Sequence, residues 1–270
     1  MGIHFRKGHG TYNDFVLLKD PGGMREMTPE LVRALADRRG GIGGDGVIRG
    51  VRAGLVDGWD GDPDLWFMDY WNADGTVAEM CGNGLRVFAE FLRSEQMVNE
   101  REFDVATRAG VKHVQFVPGG VAVHVGRAVV GDDTARVTVG GVNFDATPVN
   151  VGNPHAVAFI RDEDLASLEL HQPPVVEPVS LFPDGVNVEF VRVDGPGELV
   201  MRVHERGVGE TKSCGTGVVA AAGAYCSRFG VDGPVRVTVP GGQLLVEFNA
   251  DEAVLTGPAV MVASGDFHEH

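Results

Sequence analysis

Two similar short motifs place cysteine residues where they could do acid–base chemistry. The motifs are Cys81-Gly82-Asn83-Gly84 and Cys214-Gly215-Thr216-Gly217, and an apolar run with helical character follows each of them. A thiol directly before a helix lies beside unpaired backbone N–H groups and the positive end of the helix dipole. This setting favours the thiolate, the reactive form of cysteine. The adjacent glycines leave the same N–H groups open to a carboxylate.

The order of motifs also recurs along the chain. It is Asn, then Asp-Gly-Val, then Cys-Gly-x-Gly, and it occurs as Asn13, Asp45-Gly46-Val47, Cys81 and again as Asn153, Asp184-Gly185-Val186, Cys214. The Asn-to-Asp intervals are 32 and 31 residues, and the Asp-to-Cys intervals are 36 and 30. Matching order and spacing indicate an internal duplication. Two related halves that face each other would bring the two cysteines to opposite walls of one cleft.

The elements that must position these residues are mostly strands. Alternating apolar patterns predict strands at 121–125, 136–139, 235–239 and 244–248, with glycine-rich turns between strands. Helical periodicity is confined to 28–38, 82–93, 163–170 and 215–229. Many strands with one central apolar helix in each half predict an α+β protein, in which sheet wraps around a helix. The boundary between halves is predicted near Gly119-Gly120.

Composition and charge narrow the functional classes. The 270 residues are 43% hydrophobic with a net charge of −15, so we expect a soluble globular protein that binds neither nucleic acid nor an anionic membrane. No apolar stretch approaches the roughly 20 residues of a membrane span, and no signal peptide is recognisable. Three cysteines in a chain of this size make no disulfide scaffold, which favours a reducing cytoplasm.

Several chemistries compete for the cysteine pair. Both residues could be buried small hydrophobes, a disulfide could join them, or one could pair with His155 in a hydrolase. Zinc is disfavoured because no Cys-x-x-Cys or neighbouring histidine pair occurs. Inversion of a carbon centre uses both thiols, one as base and the other as acid on the opposite face. Because none of the four lysines sits in a recognisable pyridoxal motif, we expect this inversion to need no cofactor.

Longer motifs make the chain similar to the diaminopimelate epimerase family, whose members interconvert L,L- and meso-diaminopimelate without a cofactor. The stretches that carry the resemblance cover the whole length and are 7–15, 72–75, 81–84, 152–155, 184–189 and 205–217. It implies an isomerase of lysine and peptidoglycan precursor biosynthesis. It also implies a homodimer and two pseudo-symmetric domains, each a β-barrel-like sheet around a central helix. The domains would be 1–120 plus 258–270, and 121–257, with a final strand near 259–264 returning to the first.

The resemblance also implies a role for each site residue. Cys81 and Cys214 would be the acid/base pair, and the amides of Gly82, Asn83, Gly215 and Thr216 would bind the reacting carboxylate together with the Thr216 hydroxyl. The reacting centre and its ammonium would be surrounded by Asn13, His155 and Glu205. The distal amino-acid end would be held by Asn72, Asn153, Asn187 and Arg206. Gly46 stands where many family members have Gln and is given no binding role.

Two rival functions remain at this stage. One is a two-thiol racemase of the proline or hydroxyproline type, which the distal-end residues Asn72, Asn187 and Arg206 disfavour, since proline has no such end. The other is a non-catalytic amino-acid-binding protein, which would need neither thiol. Cys226, inside the last apolar helix, is interpreted as an inert core residue.

Overall fold

The computed structural model describes residues 2–249 and 252–268, and leaves the side chains of 162–164 undescribed. The chain divides into two compact units. The first holds the residues up to Val123 together with those from Gly257 onward, and the second runs from His124 to Thr256.

In the first unit, eight strands lie side by side in the order β19-β1-β2-β3-β4-β5-β6-β7. Neighbours are antiparallel except for the β2/β3 and β4/β5 pairs, which are parallel. The last strand returns to the first unit, the return that the family resemblance implied, and it pairs with the first strand. Their bounds are β1 (Ile3–Gly10), β2 (Asn13–Lys19), β3 (Gly46–Arg52), β4 (Trp66–Asn72), β5 (Glu102–Thr107), β6 (Gly110–Val117), β7 (Gly120–Gly126) and β19 (Val260–Phe267).

The second unit repeats this pattern in the order β9-β10-β11-β13-β14-β16-β17-β18, again with the third and fifth pairs parallel. Three short strands add to it: β8 beside β10, β12 beside β9 and β15 beside β14. The bounds are β8 (Val129–Val130), β9 (Ala135–Val139), β10 (Val142–Asn150), β11 (Pro154–Phe159), β12 (Val175–Glu177), β13 (Asn187–Gly195), β14 (Glu198–Glu205), β15 (Gly209–Thr211), β16 (Val235–Val239), β17 (Gly242–Asn249) and β18 (Glu252–Gly257).

Each parallel pair needs a crossover connection, and a helix lies in each one. The helices are α1 (Pro29–Ala36), α2 (Gly82–Ser94), α3 (Asp162–Ser167) and α4 (Gly215–Phe229), and short 3₁₀ turns occupy Ala53–Leu55 and Val179–Leu181. All four sequence-predicted helices are present, although α3 ends three residues before the predicted Leu170. The helix α1 begins at Pro29 because Thr28 caps it, its side chain accepting from Leu31 N over 3.2 Å.

One helix in each unit is almost entirely buried. Residues 82–89 of α2 and 217–225 of α4 are buried, and these helices pack on the strands of their own units. In the first unit β2 is apolar on both faces: Val16 and Leu18 pack with α1, and the alternate residues Phe15 and Leu17 point to the other face. Sheet around a central helix is therefore confirmed, although among the described residues the strands of neither unit close into a barrel.

The duplication predicted from the motifs is visible in the matching strand orders, but one motif does not match. In the first unit Phe15 of β2 lies opposite Gly46, whereas in the second His155 of β11 lies opposite Asn187. Asp45 directly precedes β3, whereas Asp184 lies in a turn three residues before β13. The two Asp-Gly-Val triplets resemble each other in sequence without occupying equivalent positions.

Candidate active site

Both cysteines of the paired motifs are N-caps of the two buried helices. Cys81 precedes α2 and its Sγ accepts a hydrogen bond from Gly84 N over 3.4 Å. Cys214 precedes α4 and its Sγ accepts from Gly217 N over the same 3.4 Å. In each case sulfur takes the place of the oxygen that usually caps a helix. Each thiol therefore lies in the field of a helix N-terminus, as the sequence predicted.

In the first unit, Asn13 joins the predicted site residues into one cluster. Its Oδ1 accepts from Cys81 Sγ at 3.6 Å and from Asn83 Nδ2 at 3.3 Å. Its own Nδ2 donates to Asp45 Oδ2 at 2.7 Å. Asn83 is fully buried and Cys81 is half-buried. Asn13 comes at the start of β2, directly after a tight turn in which Thr11 and Tyr12 have φ of 51° and 65°.

A charged cluster behind Asn13 holds it in place, and the sequence reasoning gave these residues no role. Arg38 bonds both oxygens of Asp14 at 3.1 and 2.6 Å and also Asp45 at 2.7 Å. Lys7 lies 2.5 Å from Asp14. Burial alone would raise the pKa of Asp14, but the hydrogen bonds and charges of Arg38 and Lys7 outweigh it and lower that pKa. The only sequence signal was the presence of Lys7 and Asp14 in a recognised motif.

In the second unit, His155 is the centre of an equivalent network. It is completely buried on β11, and its Nδ1 lies 2.7 Å from Glu189 Oε1. Its Nε2 lies 3.0 Å from Asn153 Oδ1, and Asn153 Nδ2 donates to Thr216 Oγ1 at 3.3 Å. The Thr216 hydroxyl lies 3.6 Å from Cys214 Sγ. Both ring nitrogens therefore face acceptor oxygens, and the two contacts fix the orientation of the imidazole.

Glu189 is a candidate site residue to which the sequence gave no role. It is fully buried, and its Oε2 has no hydrogen-bond partner among the described residues. The carboxylate lies against the first turn of α4, since a Cβ built on Gly217 would approach Glu189 Oε1 to 2.6 Å. A buried carboxylate is costly unless it is paired. The pairing with His155 therefore fixes both groups beside the helix that Cys214 caps.

The surroundings of the Cys214 thiol oppose its ionisation. Burial raises the pKa of the Cys214 thiol well above its usual value, and the carboxylates of Glu205 and Glu189 add to that effect. Hydrogen bonds from Thr216 and the Gly217 amide act in the opposite direction but do not outweigh it. The expectation that the helix N-terminus would lower the pKa of both cysteines is wrong for Cys214 in this structure.

The residues predicted to bind the distal end of the substrate fall into two groups. Asn187 and Arg206 meet in the second unit, where Arg206 N donates to Asn187 Oδ1 at 2.9 Å. The guanidinium of Arg206 donates to Asp184 O at 3.0 Å. The carboxylate of Glu205 accepts a hydrogen bond from the Thr211 hydroxyl. Asn72 lies in the first unit, at the end of β4, where its Nδ2 donates to Thr76 Oγ1 at 3.0 Å within a tight turn.

Packing accounts for the departure at Gly46. A Cβ built there would lie 2.5 Å from Trp71 O and 2.7 Å from the ring of Tyr70. A longer side chain at this position needs a shift of backbone, so glycine fits this strand as it is built.

The third cysteine is less enclosed than the sequence suggested. Cys226 is half-buried in the last turn of α4. Its interpretation as a core residue is corrected to a partly buried one, because the exposed last turn of α4 begins here. No group of three His, Cys, Asp or Glu residues within 2–249 and 252–268 is arranged to hold a metal ion. Across the same ranges, no helix has the length and apolar character that crossing a membrane requires.

Comparison with known proteins decides the family. The family described as diaminopimelate epimerase matches residues 5–131 and 147–262. The chain belongs to the diaminopimelate epimerase family. It is 49% identical to the diaminopimelate epimerase of Streptomyces coelicolor, over 98% of this chain and 95% of that protein. It is 46% identical to the enzymes of that name from Corynebacterium glutamicum strain R and Mycolicibacterium smegmatis, over 98% of this chain and 98% and 97% of theirs.

Solved structures at low identity share the fold. A phenazine biosynthesis protein of the PhzF family from Bacillus anthracis superposes with a TM-score of 0.73 at 13% identity, covering 100% of both chains. A hydroxyproline epimerase from Agrobacterium vitis gives a TM-score of 0.67 at 15% identity, covering 98% of this chain and 92% of that one. These similarities show that the fold is shared with proteins of low sequence identity. They indicate nothing about the substrate of this chain.

Proposed function

We propose that this diaminopimelate epimerase family member interconverts L,L- and meso-diaminopimelate by two-base proton transfer at the α-carbon. One of Cys81 and Cys214, as thiolate, removes the α-proton from one face, and the other, as thiol, delivers a proton to the opposite face. The observation that carries this proposal is the matched placement of both sulfurs as caps of buried helices, each 3.4 Å from a backbone N–H. The family relationship supplies the substrate.

Removal of the α-proton places negative charge on the substrate carboxylate, and this charge must be stabilised. We assign that task to the backbone N–H groups of Gly82, Asn83, Gly215 and Thr216, with the Thr216 hydroxyl. Helix N-termini present such donors already oriented, so no reorganisation is needed as the charge develops. Asn153 holds the Thr216 hydroxyl at 3.3 Å, which would keep it aimed at the carboxylate.

The remaining polar residues are assigned by their surroundings. Asn13, His155 and Glu205 would contact the reacting centre and its ammonium, and Glu205 would supply negative charge for that ammonium. Asn72, Asn153, Asn187 and Arg206 would hold the distal amino-acid end. Arg206 has five N–H donors, so its hydrogen bond to Asp184 O leaves donors for a carboxylate. A proline-type substrate would use none of these distal contacts.

Two further assignments go with this function. We propose that each compact unit is one domain of the enzyme, with boundaries near residues 120 and 257. We also propose that the enzyme works in the reducing cytoplasm. Two thiols that must exchange protons with the substrate cannot be held in a disulfide.

The direct test is conversion of purified, reduced protein with L,L-diaminopimelate and no pyridoxal phosphate. We expect a mixture of L,L and meso isomers, which chiral chromatography would separate and quantify. In parallel assays, free L-proline and trans-4-hydroxy-L-proline should remain unchanged. Conversion of either proline substrate in place of diaminopimelate would favour the rival racemase. Binding of diaminopimelate without any conversion would favour a non-catalytic protein.

A further inference from the structure

A completely buried arginine lies on the helix that Cys81 caps. Arg86 has no exposed surface, although arginine is almost never fully buried without a charged partner. Burial lowers the pKa of Arg86 to about 10, and the charge of Cys81 acts in the opposite direction. Among the residues that the structure describes, Cys81 therefore supplies the charge that counters the effect of burial on this guanidinium.

The hydrogen bonds of Arg86 tie it to the site rather than to a carboxylate. Its Nη2 donates to Asn83 Oδ1 at 2.9 Å and its Nη1 to Gly82 O at 3.3 Å. Its Nε has no hydrogen-bond partner in the part of the chain that the structure describes. Asn83 in turn donates a hydrogen bond to Asn13, and Asn13 contacts the sulfur of Cys81. Arg86 thus supplies a buried positive charge to a cluster of neutral amides around one sulfur.

The second unit has the opposite charge arrangement at its equivalent site. Five residues after Cys214, where the first unit has Arg86, stands the buried Val219. The buried charged group that lies against the first turn of α4 is the carboxylate of Glu189, paired with His155, and Glu205 of β14 adds a second carboxylate. On the Cys81 side, Asn13 donates to the carboxylate of Asp45, and Arg38 pairs with both Asp45 and the neighbouring Asp14.

We propose that Arg86 is a positioning residue that holds Cys81 as the thiolate in the free enzyme, so that the first unit carries the base and the second carries the acid before substrate binds. This inference rests on the proposed two-base function and assigns the resting state of each thiol. Loss of the Cys81 proton to water ends the contact with Asn13 Oδ1. The sulfur then keeps the Gly84 N–H, the helix dipole and the attraction of the buried guanidinium.

The test is alkylation of the reduced protein by limiting iodoacetamide between pH 5.5 and 10, with each cysteine followed by peptide mapping. No substrate is present, so the result does not depend on epimerase activity. We expect the Cys81 rate to reach its plateau at a lower pH than the Cys214 rate. The pH midpoint is compared rather than the rate itself, because Cys214 is more deeply buried than Cys81.

Arg86→Met, which keeps length but removes charge, should lower the Cys81 alkylation rate at pH 7 by about ten-fold and move its midpoint upward. Arg86→Lys should restore most of that rate. The control is Arg93→Met, which removes an exposed charge from the same helix and should change neither midpoint. Equal midpoints for Cys81 and Cys214 in the unaltered protein would overturn the proposal, even if Arg86→Met fails to fold. Distinct midpoints without any diaminopimelate conversion would overturn the proposed function instead.

Discussion

Replacing either Cys81 or Cys214 by alanine should reduce epimerisation by about 10³-fold or more, because inversion needs a proton-transfer group on each face of the carbon. Initial rates would be measured in both directions, from L,L- and from meso-diaminopimelate. Cys226→Ala is the matched control, since it removes a half-buried thiol from the same helix that Cys214 caps. Retention of near-normal inversion by either active-site variant would exclude that cysteine as an acid or base.

Serine variants separate the two thiols more sharply. A hydroxyl is a far poorer base than a thiolate but occupies similar space, so Cys81→Ser and Cys214→Ser each keep a base on one face only. Each should retain one-sided exchange or elimination on a suitable analogue while losing inversion. We expect the two variants to prefer opposite stereoisomers in that partial reaction. Preference for the same isomer would mean that the cysteines do not act on opposite faces.

The second large effect is expected at the Glu189–His155 pair. Glu189→Gln keeps the size of the side chain but removes the negative charge that lies 2.7 Å from His155 Nδ1. A neutral amide is a weaker hydrogen-bond partner than a carboxylate, so the imidazole is held less firmly, and the contacts from His155 to Asn153 and from Asn153 to Thr216 lose their order. We expect kcat to fall by about 10²-fold, with a smaller change in thermal stability. The readouts are steady-state kinetics and the pH dependence of kcat.

A glycine pair gives this prediction its structural control. Gly217→Ala would place a Cβ 2.6 Å from Glu189 Oε1 and push the carboxylate away from His155. At the corresponding Gly84 the nearest side-chain atom is Met68 Cε at 3.0 Å, the end of a flexible chain. Gly217→Ala should therefore reproduce the loss seen in Glu189→Gln, and Gly84→Ala should be much milder. Equal effects of the two alanines would argue against a special role for Glu189.

Motif order and helical periodicity were sufficient to predict the secondary elements that carry the two thiols. The positions of α2 and α4 follow from apolar runs that begin directly after a Cys-Gly pair, and local sequence encodes both features. The return of the last strand to the first unit came from family resemblance, since pairing between residues as far apart as Ile3 and Phe267 leaves no local pattern. Asp45 and Asp184 do not occupy equivalent positions relative to their strands. Identical Asp-Gly-Val triplets were misleading here, because such a triplet does not fix the register of a parallel strand pair.

The charged groups around the thiols could not be read from the sequence. Arg86 and Glu189 look like ordinary polar positions of a helix and a strand, and only their complete burial sets them apart. The raised pKa of Cys214 could not be predicted for the same reason. It follows from burial of the thiol, which outweighs the effect of the helix N-terminus that the sequence did reveal. Burial of a single polar side chain depends on the packing of several distant strands.

Deuterium incorporation at the α-carbon tests the two-base account most directly. Reduced protein is incubated with L,L-diaminopimelate in deuterium oxide without added cofactor, and both isomers are analysed by mass spectrometry at low conversion. Since the removing and delivering groups differ, the meso product should carry one solvent deuterium while the remaining L,L substrate stays unlabelled. A meso product that keeps the hydrogen of its substrate would contradict the account, because a single group would then have moved the same proton across the carbon.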